Sequence, residues 1–521
     1  MITSDMPANR EMHEMQRRGV YFIFGDLRGA EHSLHINNEV QGGRGNFTTY
    51  PVRATDHVTI EIRKSPHAHQ LVFITQNRHD NLVLRRKDAH EMDRLQFVVP
   101  NSDIDLGSQP TGLGVPFFPG ITLMLEINDE HYCIIPAYNQ ALVFITQGGN
   151  DRLHIADNID TPIIVNTGEG DDSIISAASI ASFYTGAGND TVIVHGGSNY
   201  IDTGEGDDDV TASKEARITV YAGPGDDDVM GGGFSFIDGG QGNDDITGGP
   251  GHNILSGGPG SDHIKAGPSS NVIFTGQGTR DLVTALKPHD ITYHTTHSTL
   301  AINCPTTAEA FASMPNGQPT SRSTLIEPKD ISESGITVKG SVSFIERIHD
   351  DLRLLLNSPT GQKLLTVLHQ AALKSGTPIT INELTLSKQN NFVASDAPSP
   401  NAYLVNGQRA SGSYGGNIWI NTSNSLPDLP DQPGIIILFH ELCHAYNYVT
   451  GSVVPGGIQD PQDGSLTARQ ERQAIGLPAS EYRFDFDDDP STPPTDTNPE
   501  AFTENGLRKE LGLPLRERYD N

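Results

Sequence analysis

"TGEGDDSII", residues 167–175, recurs in variant form down the middle of the chain as TGAGNDTVI (185–193), TGEGDDDVT (203–211), AGPGDDDVM (222–230), GGQGNDDIT (239–247) and GGPGSDHIK (257–265). Successive copies start 18, 18, 19, 17 and 18 residues apart, a regularity that predicts a solenoid of stacked coils. Gly at the second and fourth positions suits tight turns with positive φ. The eighth position is β-branched throughout (Ile174, Val192, Val210, Val229, Ile246, Ile264) and is expected to point inward and stack on its copy one coil away. The sixth is Asp throughout: Asp172, Asp190, Asp208, Asp227, Asp244 and Asp262. Such a ladder of carboxylates repels itself unless cations sit between the rungs, and carboxylate with backbone carbonyl oxygens suits Ca²⁺. The other half of each coil departs from the motif. Asn199, Asn253 and Asn271 stand where Asp would, and elsewhere Ala181, Ile218 or Ser235, so calcium is expected on one edge with neutral side chains closing the other. The last copy, TGQGTRDLV (275–283), carries Arg280 at the sixth position, which reads as the end of the ladder.

These nonapeptides resemble the calcium-binding repeats of RTX proteins, which implies a parallel β-roll over residues 146–285 with structural Ca²⁺ on the six Asp. Upstream, residues 1–145 hold short Val/Ile/Phe-rich runs bounded by turn residues (HVTIEI, HQLVFITQ, NLVLRR, ITLMLEI, ALVFIT) and read as a β-rich amino-terminal domain. VFITQ occurs at 72–76 and again at 143–147, each time followed by Asp and Leu, a hint of degenerate coils. Downstream, residues 286–340 lose the period, collect Thr, Ser and Pro, and read as a linker.

Composition narrows the partners. With 35 Lys and Arg against 65 Asp and Glu the net charge is −30, which argues against nucleic acid. Cys133, Cys304 and Cys443 give no disulfide framework. The amino-terminal residues lack a signal-peptide pattern, and no later stretch has the apolar length of a membrane span.

Residues 341–521 read as an α+β domain. "SVSFIERIHDDLRLLLNSPTGQKLLTVLHQAALKSG" has helical periodicity interrupted at Ser-Pro-Thr-Gly, and PITINEL follows as a strand. "GIIILFHELCHAYNYVTG" (434–451) is an apolar helix preceded by Asp431 and Pro433 and closed by Gly451. His440 and His444, one turn apart, can reach a single ion, whereas Glu441 is rotated away and is free to take a proton. This HExxH arrangement predicts a zinc metalloendopeptidase using zinc-bound water, with Glu441 as general base. No histidine follows His444, so the third zinc ligand is a carboxylate. Glu471 in "TARQERQAIGLP" leads, with Asp485, Asp487 and Glu504 as competitors. Cys443 reads as a packed thiol. Tyr482 is a candidate oxyanion donor, and "GGNIWINTS", with Ile418 and Ile420 on one face and Trp419 on the other, a candidate substrate-pairing strand.

The helix, "ERQAIGLP" and the tail "FTENGLRKELGLPLRERY" together resemble the NleD-type zinc endopeptidases, effectors that Gram-negative pathogens deliver into host cells. The resemblance covers residues 340–521, carries over His440, Glu441 and His444, and places Glu471 first among the carboxylates through its E-x-x-A-x-G-L context. It implies a secreted effector or toxin that hydrolyses host proteins, stress-activated MAP kinases among them. The rival class is a calcium-dependent surface or interaction protein with an inactive protease-like end.

Overall fold

The computed structural model describes residues 20–24, 48–86 (except 55–56, 65–68 and 77), 123–300 (except 129, 137–139 and 279) and 322–519 (except 328, 385–390, 395–399, 406–407, 422–432, 460–465, 482 and 487–492). They fall into two compact units. One runs to Ala216 but for Gly206–Asp208; the other takes those three residues and continues from Arg217.

In the first unit, His69–Thr75, Ala141–Ile145, Ile163–Glu169, Ile180–Ala187 and Ser198–Glu205 pair in parallel. A companion stack runs through Asn81–Arg86, Arg152–Ile155, Ser173–Ser176, Thr191–Val194 and Asp209–Ala212. This is the expected parallel solenoid, already under way at His69. The two VFITQ copies lie in register, Val72 on Val143 and Phe73 on Phe144. Antiparallel strands complete the β-rich amino-terminal part: Thr48–Ala54 with Val58–Lys64, and Leu123–Ile127 with Glu130–Ile135. Stacking is carried by the inward aliphatics, Ile174 on Val192 on Val210, each fully buried. Threonines add a second seam: the Thr146, Thr167 and Thr185 hydroxyls each donate to the threonine carbonyl of the next coil at 2.9–3.2 Å.

The second unit opens with the same construction. Arg217–Pro224, Phe234–Gln241, His252–Ser256 and Asn271–Phe274 stack in parallel, continued by Ile291–His294 and Arg322–Leu325. Val229, Ile246, Ile264 and Val283 form its fully buried column. Gly is obligatory where successive turns meet: Gly242 has φ +153°, and a Cβ there would lie 1.6 Å from the Gly225 carbonyl oxygen. Four strands, Ile291–His294, Thr299–Leu300, Arg322–Leu325 and Ile336–Lys339, fall within 286–340, where the sequence suggested a linker; residues 301–321 are outside the described residues.

Helices α1 (Val342–Leu356) and α2 (Pro359–Ser375) follow, separated as the Ser-Pro break predicts: the Ser358 hydroxyl accepts from the Gly361 N–H and Pro359 takes the first turn. Helix α3 (Gly434–Thr450) carries the HExxH residues and ends on Gly451 with φ 67°; α4 (Arg469–Ile475) and α5 (Glu504–Glu510) complete the set. A sheet ordered Ile336–Lys339, Ile379–Glu383, Gly416–Ile420, Asn391–Ala394 packs against α3, parallel except for the last strand. The carboxy-terminal region is thus α+β, as expected.

The helices of this unit are seated on its coils. Arg347 of α1 lies 3.1 Å over the centroid of the Tyr221 ring and pairs with Asp351 at 2.9 Å, while the Tyr221 hydroxyl donates to Asp351 Oδ1 at 3.3 Å. His252 Nε2 meets the Leu511 carbonyl at 2.8 Å, and Gln277 donates to the Lys329 carbonyl at 2.5 Å. Arg347 and Asp351 are both buried, so removing one partner strands the other. Arg347→Ala is expected to destabilise this unit by about 3–5 kcal/mol, read as a lower denaturant midpoint in the full chain.

Candidate metal centres

Helical geometry places His440 and His444 on one face of α3, and Glu471 arrives from the first turn of α4. The three approach as a triangle. His440 Nε2 and His444 Nε2 are 3.2 Å apart, and Glu471 Oε2 lies 3.3 Å from the first and 3.2 Å from the second. A tetrahedral ion with bonds of about 2.0–2.1 Å holds its ligand atoms about 3.3–3.4 Å apart, so the donor set fits zinc in kind and in spacing.

Glu504 plays another part. His440 Nδ1 meets its Oε2 at 2.9 Å, which leaves the Nε2 lone pair aimed at the triangle's centre. Arg508 and Arg516 hold the same carboxylate at 2.7 and 3.0 Å. Glu504 is buried, which by itself raises a carboxyl pKa, but the bond to His440 and the two guanidiniums outweigh that and hold it at about 2. Burial likewise works against ionisation of Glu471, yet its bonds to both histidines hold it below the usual carboxylate range. His440, buried between two carboxylates, is pushed up to about 10. A cation here would displace that proton and take over its role.

Glu441 is buried beside the triangle and outside it; burial raises its carboxyl pKa, and the Phe392 backbone N–H donates to it. Cys443 is a buried free thiol and stands apart from the cluster. Asp485 is likewise apart, and Asp431, Asp487 and Tyr482 lie outside the described residues. One expectation fails. Gly416–Ile420 does alternate its faces, with Ile418 and Ile420 buried, but it is flanked on both sides by strands and has no edge to offer. Among the described residues the edges are Ile336–Lys339 and Asn391–Ala394, and it is the latter whose Phe392 reaches Glu441.

The sixth-position Asp form a continuous ladder within each unit. Each backbone N–H donates to Oδ1 of the next Asp: Asp151 to Asp172 to Asp190 in the first unit, and Asp208 to Asp227 to Asp244 to Asp262 in the second, at 2.7–3.1 Å. The Oδ2 atoms of Asp227, Asp244 and Asp262 are buried with no hydrogen-bond partner. Those of Asp244 and Asp262 lie over the bare Cα of Gly239 and Gly257, where a Cβ would sit 2.3 Å away. Burial, aided by nearby carboxylates, raises Asp227 and Asp262 to about 8 and Asp244 to about 7. Orphaned, buried, acidic oxygens in register are what a hard divalent cation requires, and Ca²⁺ fits.

Two features of the ladder escaped the motif. Asp80 and Asp151 extend it upstream, the Asp80 N–H donating to Asp151 at 2.6 Å; the Asp that follows each VFITQ was the available signal. Downstream, one additional residue shifts the frame, so that Asp281 rather than Arg280 takes the place opposite Asp262, at 3.4 Å, and the ladder does not end at Arg280. On the other edge Asn253 and Asn271 cap the turn glycines with their amides and join each other at 2.9 Å, but the expected neutral closure is incomplete: the next place belongs to buried Asp290, whose Oδ1 accepts from the Asn271 N–H at 3.0 Å and from its amide at 2.8 Å.

Residues 332–519 match the family model Peptidase_M91, described as an effector protein. Residues 182–213, 219–235 and 247–281 match HemolysinCabind, the RTX calcium-binding nonapeptide repeat (4 copies). No curated protein and no solved structure matches the chain. Both resemblances are borne out as matches: residues 332–519 match an effector family model, and the repeats match a calcium-binding repeat model. Among the described residues no helix is long and apolar enough to cross a membrane.

Proposed function

We propose, with the effector-peptidase region as premise, that the chain is a secreted zinc metalloendopeptidase whose β-roll is held together by calcium. The observation that carries this reading is the triangle of His440, His444 and Glu471 at 3.2–3.3 Å, with Glu441 buried beside it. Zinc, when bound, supplies the Lewis acidity that lowers the pKa of water and polarises a carbonyl. Glu441 takes the proton from the attacking water and passes it to the leaving amine, a task suited to a carboxylate whose pKa burial has raised. The Phe392 N–H orients that carboxylate. Because Asn391–Ala394 is the edge strand whose Phe392 reaches Glu441, it is the strand on which extended substrate backbone would pair. The substrate is a protein; host signalling kinases as targets, like delivery into a host cell, rest on the family resemblance alone.

Calcium is assigned to Asp172, Asp190, Asp208, Asp227, Asp244 and Asp262 from their common register and burial. The whole chain should bind one zinc at the triangle and cleave fluorescein-labelled casein in a chelator-sensitive manner; a chain taking up no stoichiometric zinc refutes the reading. Glu504→Gln is expected to weaken zinc affinity by about 10–100-fold, measured by competition with a zinc-responsive dye, because the amide no longer fixes the His440 tautomer.

A further inference from the structure

Glu471 reaches the triangle from a helix of seven residues, too short to hold its place unaided. The N-cap of α4, Ala468, supplies no side-chain bond, and Arg469 and Arg472 bond to the carbonyls of Ala479 and Pro478, just beyond the helix itself. The tie to α3 is Gln473, fully buried two residues after Glu471. Its Nε2 donates to Asn447 Oδ1 at 3.2 Å, to the Ser452 carbonyl at 2.9 Å and to Asn498 Oδ1 at 2.8 Å, two N–H groups shared among three acceptors, while its Oε1 accepts from the Val454 N–H at 3.0 Å. Asn447 continues along α3 the stripe of His440 and His444. Asn498 donates to Asn447 Oδ1 at 2.8 Å and to the Phe502 carbonyl at 3.0 Å, two residues before Glu504. Three buried amides thus join the segments that carry the histidines, Glu471 and Glu504. Sliding α4 along α3 would strand the Gln473 amide and its acceptors away from water, so the junction admits one register.

We propose that Gln473 is a positioning residue for the zinc site: through its junction with Asn447 and Asn498 it sets α4 against α3, so that Glu471 stands opposite both Nε2 atoms before an ion arrives. The proposal rests on the peptidase reading above and deepens it by naming what assembles the third ligand. Gln473 belongs to the junction and not to the triangle, so it acts on zinc affinity through Glu471. Its loss leaves the two histidines on α3 and frees the carboxylate, which should weaken zinc binding by about 10–100-fold.

The test measures zinc affinity of the full-length chain by competition with a zinc-responsive dye, for Gln473→Met in the parent and again in a Glu471→Ala background, with circular dichroism melts of the zinc-free proteins. Gln473→Met should weaken binding about 10–100-fold in the parent and by less than about twofold once Glu471 is gone. Arg347→Ala, which lowers the stability of the same unit away from the junction, should keep its affinity within about twofold. Gln473→Ala, whose small side chain leaves room for water beside the freed acceptors, is carried through both backgrounds in case Gln473→Met fails to fold. Unchanged affinity in the parent background overturns the role of Gln473 and leaves the peptidase standing. An equal loss in both backgrounds, an equal loss in Arg347→Ala, or failure of both Gln473 variants to fold overturns it too, because each marks a purely structural part. A parent that takes up no stoichiometric zinc removes the peptidase reading and carries this proposal away with it.

Discussion

Glu441→Gln is expected to cut hydrolysis of unfolded protein by at least about 10³-fold while the chain keeps its zinc. The amide has the size of the carboxylate, so the packing of α3 is retained at a position that is only 7% exposed. It cannot accept a proton. Because Glu441 is not one of the three converging donors, the His440, His444 and Glu471 triangle survives the change. Initial rates on labelled casein, taken with elemental analysis of the same preparation, make the comparison. Equal inertness of parent and variant would favour the rival reading, a calcium-dependent surface or interaction protein with an inactive end. A variant that loses zinc together with activity would instead give Glu441 a part in holding the ion.

The second large effect concerns the coils. Asp227 and Asp262 rise to about 8 and Asp244 to about 7, all from an ordinary value of 3.8. A carboxyl whose folded pKa is raised binds its proton more tightly folded than unfolded. Its contribution is complete below the unfolded pKa and disappears as pH climbs through the folded one. Without calcium, then, the coils should lose stability steadily between about pH 4 and pH 8, with a fall in melting midpoint of at least about 10 °C. Millimolar calcium should reverse the slope, since the ion binds only the ionised ladder and its binding expels protons. Circular dichroism melts across that pH range, with and without calcium, provide the check. Parallel slopes in the two series would show that the ladder takes up no calcium.

What the sequence made legible follows from what is local. The Gly-x-Gly-x-Asp spacing specifies a turn, an inward aliphatic and a rung within nine residues, so the solenoid and its acidic edge could be read directly. A single inserted residue was enough to hide Asp281 behind Arg280, because register is a property of pairing and the motif sees only order. The histidines of α3 were readable for the same reason, being one helical turn apart. The carboxylates were not separable by such means. Glu471 and Glu504 both sit in the first turn of a short helix, and only the packing of α4 and α5 against α3 decides which faces Nε2 and which faces Nδ1 of His440. The misplaced edge strand has the same origin: alternation reports that Gly416–Ile420 is a strand, whereas its place between Ile379–Glu383 and Asn391–Ala394 is set by chain far away in sequence.

The stacking of Arg347 on Tyr221 dictates where the molecule can be cut. A fragment trimmed to begin near residue 341 would keep every donor of the triangle yet uncover a guanidinium and a carboxylate that the intact protein shelters under an aromatic lid. Its carboxy-terminal tail would also lose the imidazole of His252 that anchors Leu511, one residue beyond the helix bearing Glu504. Poor solubility of such a piece would therefore reflect a missing floor rather than a defective hydrolytic centre, and the shortest self-sufficient version should begin at Arg217 or earlier.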